Sequence, residues 1–349
     1  MLNLFTRSKN NPILKPNPEN PWESLKVYNP GAIYEDETYN LFYRAMGNDW
    51  VSSIGHATSQ DGENFTRVSS TPILAAEFDY EKKGLEDPRV IKVADNYFMA
   101  HTAYDGDCAR LALATSRDLK VWEKHGPIQK EWDWIKHISW LKYFKELVKA
   151  RFHLQRNWSK AGAIFPEIIN GKYFLFFGDH HIWLSTSSDS LNWEIPQTPF
   201  LKARPAPFFD NAFIEMGPPP IITTKGWLVL YHGVDYKFVY RLGFLLLDLN
   251  DPTKILYRST EPIFEPQEPY ELKGIVDILP GGYKQMENMS PEELKTFINK
   301  MDKLGKMPRV AFVNGAVLIG DTLRIYYGAS DSVICTATAN INDILNLVK

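Results

Sequence analysis

The segment YFMAHTAYDG at residues 97–106, followed by LALATSRDLKVW at residues 111–122, decides the fold of this chain. Its apolar residues alternate or run in short groups between turn formers, which is typical of strands and hairpins rather than of helices. Ser116 and Asp118 form a Ser-x-Asp element that is expected to tie the turn through local hydrogen bonds, and Trp122 is expected to pack between neighbouring sheets. The segment therefore predicts a small antiparallel sheet.

The same pattern of two strands and a polar turn recurs along the chain. It is clear in YNLFYRAMG with ATSQDGENF and in YFLFFGDHH with IWLSTSSDSLNW, and looser in WLVLYHGVD with YRLGFLLLDLNDP and in LRIYYGASD with VICTATANINDI. Together with the first segment these make five units. Sheets of this size cannot bury both faces alone and pack around an axis as blades of a propeller. The sequence predicts an all-β fold, a five-bladed β-propeller that forms a single domain over residues 1–349.

Two segments depart from the strand pattern. Residues 128–157 place apolar side chains, among them Trp132, at helical spacing with Lys and Arg opposite, which predicts an amphipathic helical insertion. Its role stays open between packing on the propeller, covering the mouth of a site and contacting another subunit. The second segment begins with a capping box of Ser290 and Glu293, which predicts a short helix near residues 290–304.

The composition excludes several classes of partner. Lys and Arg number 39 against 42 Asp and Glu, so the net charge of -3 gives no reason to expect nucleic acid or an anionic membrane. A small neutral ligand is the better expectation, and a homo-oligomer stays possible. The N-terminus lacks the apolar core of a signal peptide and no long apolar run occurs, so we expect a soluble, cytoplasmic protein. Cys108 and Cys335 are expected to be buried free thiols, and no metal-ligand spacing is present.

Polar residues at the inner ends of the predicted strands are the candidates for a ligand site, because propeller ligands bind where loops converge near the axis. Each residue alone would be interpreted as a turn residue, but their equivalent positions in successive units favour a shared site. In EDPR, Pro88 fixes the backbone after the acid, and Arg89 either braces this turn or pairs with Glu86. The candidates are Asn29, Asp87, Asp179, His180, Glu215, His232 and Asp331.

Six motifs resemble, in order, those of glycoside hydrolase family 130. They are NPGAIYEDETYNLFYR, EDPRVIKVADNYF, AGAIFPEIINGKYFLFF, GPPPIITTKGWLVLYHGV, YRLGFLLLDLNDPTKILYRS and RIYYGASDS. The resemblance implies a five-bladed propeller that acts on β-mannosides, as an inverting phosphorylase or, in some branches, as a hydrolase, without a cofactor other than phosphate as co-substrate. It also places the family's proton donor on Asp87. The resemblance places Asn29, Tyr240 and Asp331 around the mannosyl ring. We also expect Arg44, Glu86, His180 and His232 among the substrate-binding residues.

The chain departs from the phosphorylases of that family where they bind phosphate. Of three basic positions only Lys160 remains, because Gly178 and Phe213 stand at the other two. Glu215 and the neighbouring Asp179 add carboxylates, which repel phosphate and can deprotonate water. This pattern resembles the hydrolytic β-1,2-mannosidase branch.

An inverting hydrolase needs an acid and a base about 6.5 to 9.5 Å apart. We therefore expect hydrolysis of short β-mannosides with Asp87 as the acid, Glu215 as the base and Asp179 as the reserve base. Two alternatives stay open. One is a phosphorylase in which Lys160 and His232 bind phosphate, and the other is a sugar-binding propeller without catalytic activity.

Overall fold

A computed structural model describes residues 2, 4–133, 158–275, 286 and 288–348, and these residues form a mostly β structure. The strands are β1 Thr6–Arg7, β2 Lys26–Glu35, β3 Thr38–Met46, β4 Ser52–Ser59, β5 Thr66–Arg67, β6 Gly84–Val93, β7 Asn96–Tyr104, β8 Ala109–Ser116, β9 Trp122–Pro127, β10 Ala163–Ile164, β11 Tyr173–Phe177, β12 Trp183–Ser187, β13 Phe213–Met216, β14 Ile221–Thr223, β15 Gly226–Val234, β16 Tyr240–Leu247, β17 Ile255–Arg258, β18 Ala311–Ile319, β19 Thr322–Ala329 and β20 Val333–Asn340. Within the described ranges the helices are short: α1 Pro269–Leu272, α2 Pro291–Lys303 and α3 Ile341–Leu345, with 3-10 turns at Pro21–Glu23 and Asp79–Glu81.

The strands pair antiparallel in five successive groups, which we call units one to five. Unit one contains β2 to β5, unit two β6 to β9, unit three β10 to β12, unit four β13 to β17, and unit five β18 to β20 together with β1. Units one and two also share a single parallel bridge between Ser52 and Gly84, which joins them into one hydrogen-bonded sheet. Strand β1 pairs with β20, so the beginning of the chain completes the last unit.

Five hydrophobic clusters fill the spaces between consecutive units. They lie between units one and two around Phe42, between two and three around Phe98, between three and four around Phe165, between four and five around Phe244, and between five and one around Tyr326. Each unit therefore buries both faces against its two neighbours, as the repeat pattern requires. These contacts support the predicted propeller, while the count of five blades stays a prediction at this point.

The Ser-x-Asp turns form the expected local hydrogen bonds. The Ser116 hydroxyl donates to Asp118 at 3.2 Å, and Asp118 accepts from the backbone N–H groups of residues 120 and 121. The turns at Ser59 and Ser187 repeat this arrangement. Trp122 packs edge-to-face on Phe42 of unit one at 5.4 Å between ring centroids, so its predicted position between units is confirmed.

The predicted helical insertion is wrong at its beginning. Residues 128–133 form no helix, because the Trp132 indole is fixed by Phe177 and Trp183, with ring centroids at 5.2 and 4.8 Å. Residues 134–157 lie outside the described residues. The second predicted helix is confirmed as α2, and Ser290 and Glu293 form the reciprocal capping box.

Both cysteines are free and buried, as expected. In the part of the chain that the structure describes, no helix has the length and apolar character needed to cross a membrane.

Candidate active site

A β-bulge sets the direction of the Asp87 side chain. The register of β6 with β7 shifts between Glu86 and Arg89, so Asp87 and Pro88 lie outside the ladder and Asp87 has a left-handed φ of 51°. Bulges re-aim side chains next to functional sites, and Asp is among the residues that tolerate this conformation best. The Asp-Pro pair therefore turns a carboxyl group out of the sheet and fixes its direction.

Unit one contains the equivalent bulge at Asn29, which has a φ of 45° and is also followed by proline. The two bulges meet, because the Asn29 amide donates to Asp87 Oδ1 at 2.9 Å. Asn314 of unit five lies at a third register shift, and its amide donates to the Asn29 carbonyl oxygen at 3.2 Å. Units one, two and five thus each contribute a polar side chain to one set of contacts, in which Asn29 lies between Asn314 and Asp87.

Arg44 holds the two carboxylates of the EDPR motif. Its Nη2 donates to Glu86 at 2.6 Å, its Nη1 lies 3.3 Å from Asp87 Oδ1, and its Nε donates to Ser52. All four side chains are buried. Arg44 therefore positions Asp87 through a shared ion pair, and Glu86 pairs with Arg44 rather than with Arg89.

Arg89 braces the turn, which was one of its two expected roles. The guanidinium is buried and donates to three backbone carbonyl oxygens: those of Gly217 and Met216, both at 2.7 Å, and that of Asp87 at 3.1 Å. Burial lowers the pKa of Arg89, and the negative charges of Asp87 and Glu215 oppose this effect. Arg89 thus connects the backbone at Asp87 to the end of β13 by hydrogen bonds.

Glu215 lies in the middle of β13 opposite His232 of β15 and is only 2% exposed. Lys160 Nζ lies 3.0 Å from Glu215 Oε1, so the two side chains form an ion pair when Glu215 is ionised. Burial raises the pKa of Glu215 from 4.5 to about 7, against the opposing charge of Lys160, and the charges of Asp179 and Asp87 add to the rise. Glu215 is therefore a buried carboxyl group that titrates near neutral pH, as a general base should.

Asp179 has several partners of its own. Trp158 Nε1 donates to its Oδ2 at 3.0 Å, His180 Nδ1 lies 3.0 Å from its Oδ1, and Lys160 Nζ is 3.9 Å away. Burial alone would raise the pKa of Asp179, but His180, Lys160 and Trp158 outweigh it and hold the pKa well below its ordinary value. Asp179 is thus an ionised carboxylate that balances charge and is less suited than Glu215 to accept a proton.

Lys160 is the cation between these carboxylates. Burial would lower its pKa, but Glu215 and Asp179, followed by Asp87 and Tyr240, outweigh it and hold the pKa above the ordinary value. Lys160 therefore stays charged, and its charge is already balanced by protein carboxylates.

Aromatic rings form the side of the site next to β13. His180 stacks on Phe213 with ring centroids 5.8 Å apart, and Tyr240 packs edge-to-face on Phe213 at 5.7 Å. His232 is fully buried under this layer, stacked on Phe312 at 4.2 Å, and its Nε2 accepts from the Val313 N–H at 2.8 Å. Burial and nearby positive charges hold the pKa of His232 well below 6.5, so it is neutral and supports the site from behind.

Asp331 lies between β19 and β20 in a left-handed conformation with a φ of 48°, and it is buried. It therefore lies in the turn that joins the last two strands of unit five, and its predicted role in substrate binding stays a prediction. In the described residues no cluster of three or more His, Cys, Asp or Glu side chains could hold a metal ion.

Sequence reasoning did not single out Trp158 or Asn314. Trp158 lies two residues before Lys160, but a lone aromatic residue carries no spacing that marks it as a hydrogen-bond donor to a carboxylate. Asn314 could have been found by aligning the bulge positions of the units, since Asn29, Asp87 and Asn314 occupy equivalent register shifts.

The family model described as beta-1,4-mannooligosaccharide phosphorylase, that of glycoside hydrolase family 130, matches residues 5–282. The chain belongs to glycoside hydrolase family 130. The chain is similar to a 1,2-beta-oligomannan phosphorylase of Thermoanaerobacter sp. (strain X514), with 33% identity over 97% of this chain and 98% of that protein. This family 130 protein is accordingly a carbohydrate-active enzyme of the glycosidase or glycoside phosphorylase type.

Two solved structures resemble this family 130 enzyme over nearly its whole length. The beta-1,2-mannobiose phosphorylase from Listeria innocua, in complex with beta-1,2-mannobiose, has a TM-score of 0.75 and 25% identity and covers 99% of both chains. A structure described as showing that the family contains glycoside hydrolases that target beta-1,2 mannosidic linkages in Candida mannan has a TM-score of 0.75 and 29% identity, over 98% of this chain and 95% of that one. Relatives of both reaction types therefore share this fold.

Proposed function

We propose that this enzyme is an inverting β-mannoside hydrolase that cleaves short manno-oligosaccharides, β-1,2-linked ones first among them. The observation that carries the proposal is Glu215. A carboxyl group that is 2% exposed, lies 3.0 Å from the Lys160 ammonium group and has a pKa near 7 is suited to take a proton from a water molecule at neutral pH. Asp87, on the neighbouring bulge, is the group that protonates the leaving oxygen.

The reaction follows from these two roles. Asp87 donates its proton to the glycosidic oxygen while the bond from that oxygen to the anomeric carbon breaks. A water molecule attacks the anomeric carbon from the opposite face and gives its proton to Glu215, so the released mannose has the α configuration. Asn29 and Arg44 orient the Asp87 carboxyl group by their contacts at 2.9 and 3.3 Å.

The local charge disfavours phosphate as the nucleophile. Lys160 lies among Glu215, Asp179 and Asp87, all of which raise its pKa. The nearby Arg44 is already paired with Asp87 and Glu86. The side chains of both cations are therefore already matched by protein carboxylates. A multiply charged oxyanion needs fixed cations or donors in place of its hydration shell. His232, which we expected to assist in binding phosphate, is neutral and fully buried. Water meets no such electrostatic penalty.

Phosphorolysis is the second candidate, and two observations favour it. The relative from Thermoanaerobacter and the Listeria structure are named as phosphorylases, and Lys160 retains one of the cations that phosphate binding would use. In this reaction phosphate would replace water at the anomeric carbon and the product would be α-mannose 1-phosphate. The same Asp87 would protonate the leaving oxygen.

The proposal includes the arrangement of the five units as one five-bladed propeller domain. Strand contacts support it: β2 contacts β6, β6 contacts β10, β11 contacts β13, β16 contacts β18, and β18 returns to β2. With a hydrophobic cluster at each of these junctions, the units form a ring in which their first strands lie innermost. This places Asn29, Asp87, Glu215 and Asn314 around one axis.

The test is incubation with β-1,2-mannobiose with and without inorganic phosphate, followed by product analysis. We expect mannose at equal rates under both conditions. Mannose 1-phosphate, formed only when phosphate is present, would establish the phosphorylase instead. A lack of turnover on any β-mannoside would favour the third alternative, a sugar-binding propeller.

A further inference from the structure

Arg89 connects two units that are not neighbours in the ring. It belongs to β6 of unit two, and its Nε and Nη2 donate to the carbonyl oxygens of Gly217 and Met216 at the end of β13 in unit four. The contact spans 128 residues of sequence and passes by unit three. Its guanidinium is 1% exposed, so solvent does not compete for these donors.

The residues joined in this way flank the two proposed catalytic groups. Nη1 of the same guanidinium donates to the carbonyl oxygen of Asp87, the proposed acid, at 3.1 Å. Met216 directly follows Glu215, the proposed base. A single planar side chain with a fixed fork of donors therefore connects the backbone of the acid to the backbone of the base.

The backbone segments that Arg89 connects, at Asp87 and at Met216, differ in their other backbone contacts. Glu215 and Met216 pair with His232 and Tyr231 in the ladder between β13 and β15. Asp87 and Pro88 lie outside the ladder of β6 with β7, because the register shifts there. Without Arg89 the Asp87 side chain would keep its contacts with Asn29 and Arg44, but the backbone of the bulge would lose the hydrogen bond at the Asp87 carbonyl oxygen. Strand β13 would keep its ladder with β15.

We propose that Arg89 is a positioning residue that fixes the Asp87 carboxyl group relative to Glu215. The inference rests on the proposed function for the role of Glu215. It extends that function because the separation between acid and base is what an inverting enzyme must hold constant. Arg89 acts through Asp87 and does not touch the substrate.

The test compares two substrates with the variant Arg89→Lys, which keeps the charge but replaces the planar fork of three nitrogens with a single nitrogen. That nitrogen cannot reproduce the separate contacts that Nε, Nη1 and Nη2 make with three carbonyl oxygens. The substrates are β-1,2-mannobiose, whose leaving sugar needs a proton, and 2,4-dinitrophenyl β-mannoside, whose leaving group does not. A misplaced acid should lower kcat on mannobiose by about 100-fold and on the aryl mannoside by less than about 5-fold. Equal losses on both substrates would overturn the proposal, since they indicate a smaller active fraction or a displaced base.

Arg258→Lys is the matched control. Arg258 is another largely buried arginine that pairs with a carboxylate, Asp210 at 2.6 Å, at the outer part of unit four. We expect a lower melting temperature for this variant with no dependence of activity on the leaving group. If Arg258→Lys shows the same dependence as Arg89→Lys, the effect is general destabilisation and the proposal fails.

A crystal structure of Arg89→Lys provides a second readout that needs no aryl substrate. We expect Asp87 to be displaced by about 1 Å or more with Glu215 unmoved, which is enough to explain a 100-fold loss. An unmoved Asp87 would contradict the proposal. If neither Arg89→Lys nor Arg89→Gln folds, Arg89 is a folding residue and the positioning role is withdrawn.

The outcome for Arg89 is separable from that of the proposed function. The wild-type product assay decides between water and phosphate as nucleophile. The leaving-group comparison reports only on protonation of the departing oxygen, which both reactions require. Formation of mannose 1-phosphate would therefore refute hydrolysis, but the leaving-group comparison would still test whether Arg89 positions Asp87.

Discussion

Asp87 and Glu215 are both buried carboxyl groups, but their surroundings differ. Asp87 receives an amide hydrogen bond from Asn29 and an ion pair from Arg44, which Glu86 shares. Glu215 has only the ammonium group of Lys160 at 3.0 Å from its Oε1 as a charged partner in the described contacts, and burial raises its pKa to about 7. Asp87 is oriented by two hydrogen-bond donors, whereas burial makes the Glu215 carboxyl group titrate near neutral pH. The difference matches two roles, a proton donor held in place and a base that binds water.

The largest expected effect is that of Asp87→Asn. The amide keeps the size of the side chain but cannot donate an acidic proton, so kcat on β-1,2-mannobiose should fall by about 1,000-fold or more. Activity on 2,4-dinitrophenyl β-mannoside should fall far less. Steady-state kinetics on both substrates measure this. A variant that cleaves mannobiose at the wild-type rate would remove Asp87 from the mechanism.

Glu215→Gln tests the other side and should lower kcat by about 100-fold to 1,000-fold, because water loses its base. In contrast to Asp87→Asn, the loss should be similar for mannobiose and for the aryl mannoside. Azide needs no base and should restore turnover by forming α-mannosyl azide, which NMR identifies. Full activity of Glu215→Gln without azide would show that another group is the base.

Asp179→Asn tests whether Asp179, rather than Glu215, is the base. Asp179 is already bound by Trp158 and His180 and its pKa lies well below its ordinary value, so we expect at most a loss of about 10-fold in kcat. Circular dichroism checks that the variant is folded. If Asp179→Asn loses as much activity as Glu215→Gln while folded, the assignment of the base must be exchanged.

The smallest effect concerns pH. Glu215 must be ionised to act as base, so kcat/KM should rise with pH through about 7 on the acid side of the profile. Lys160 lowers the pKa of Glu215, so Lys160→Met should move this limb to higher pH, with Lys160→Arg as the control that keeps the charge. Asp179 raises the pKa of Glu215, so Asp179→Asn should move the limb to lower pH. Shifts in the reverse directions would contradict the electrostatic account.

Much of the fold and part of the site could be predicted from the sequence because they depend on local chemistry. The Ser-x-Asp turns depend on neighbouring residues, and the structure has them where the pattern places them. Pro88 indicated a fixed backbone at Asp87, which the structure shows to be a β-bulge. The first residues of the expected insertion differ because Trp132 fits a helical pattern but packs against Phe177 and Trp183, which are distant in sequence. Tertiary packing overrides local periodicity there.

The site residues that sequence could not place depend on long-range geometry. The nine residues of β15 are buried throughout, so alternation could not show that the His232 ring is fully buried and stacked on Phe312. The choice of Arg44 over Arg89 as the partner of Glu86 likewise depends on how β3 and β6 pack. The sequence identifies the charged residues, but the packing of distant strands determines which of them form ion pairs.

The most direct test of the account is a crystal structure of the wild-type enzyme soaked with both mannose and phosphate. We predict a water molecule bound to the Glu215 carboxyl group beneath the anomeric carbon, with Lys160 still paired to Glu215. A tetrahedral anion held by Lys160 against the anomeric carbon would contradict the account and identify phosphate as the nucleophile.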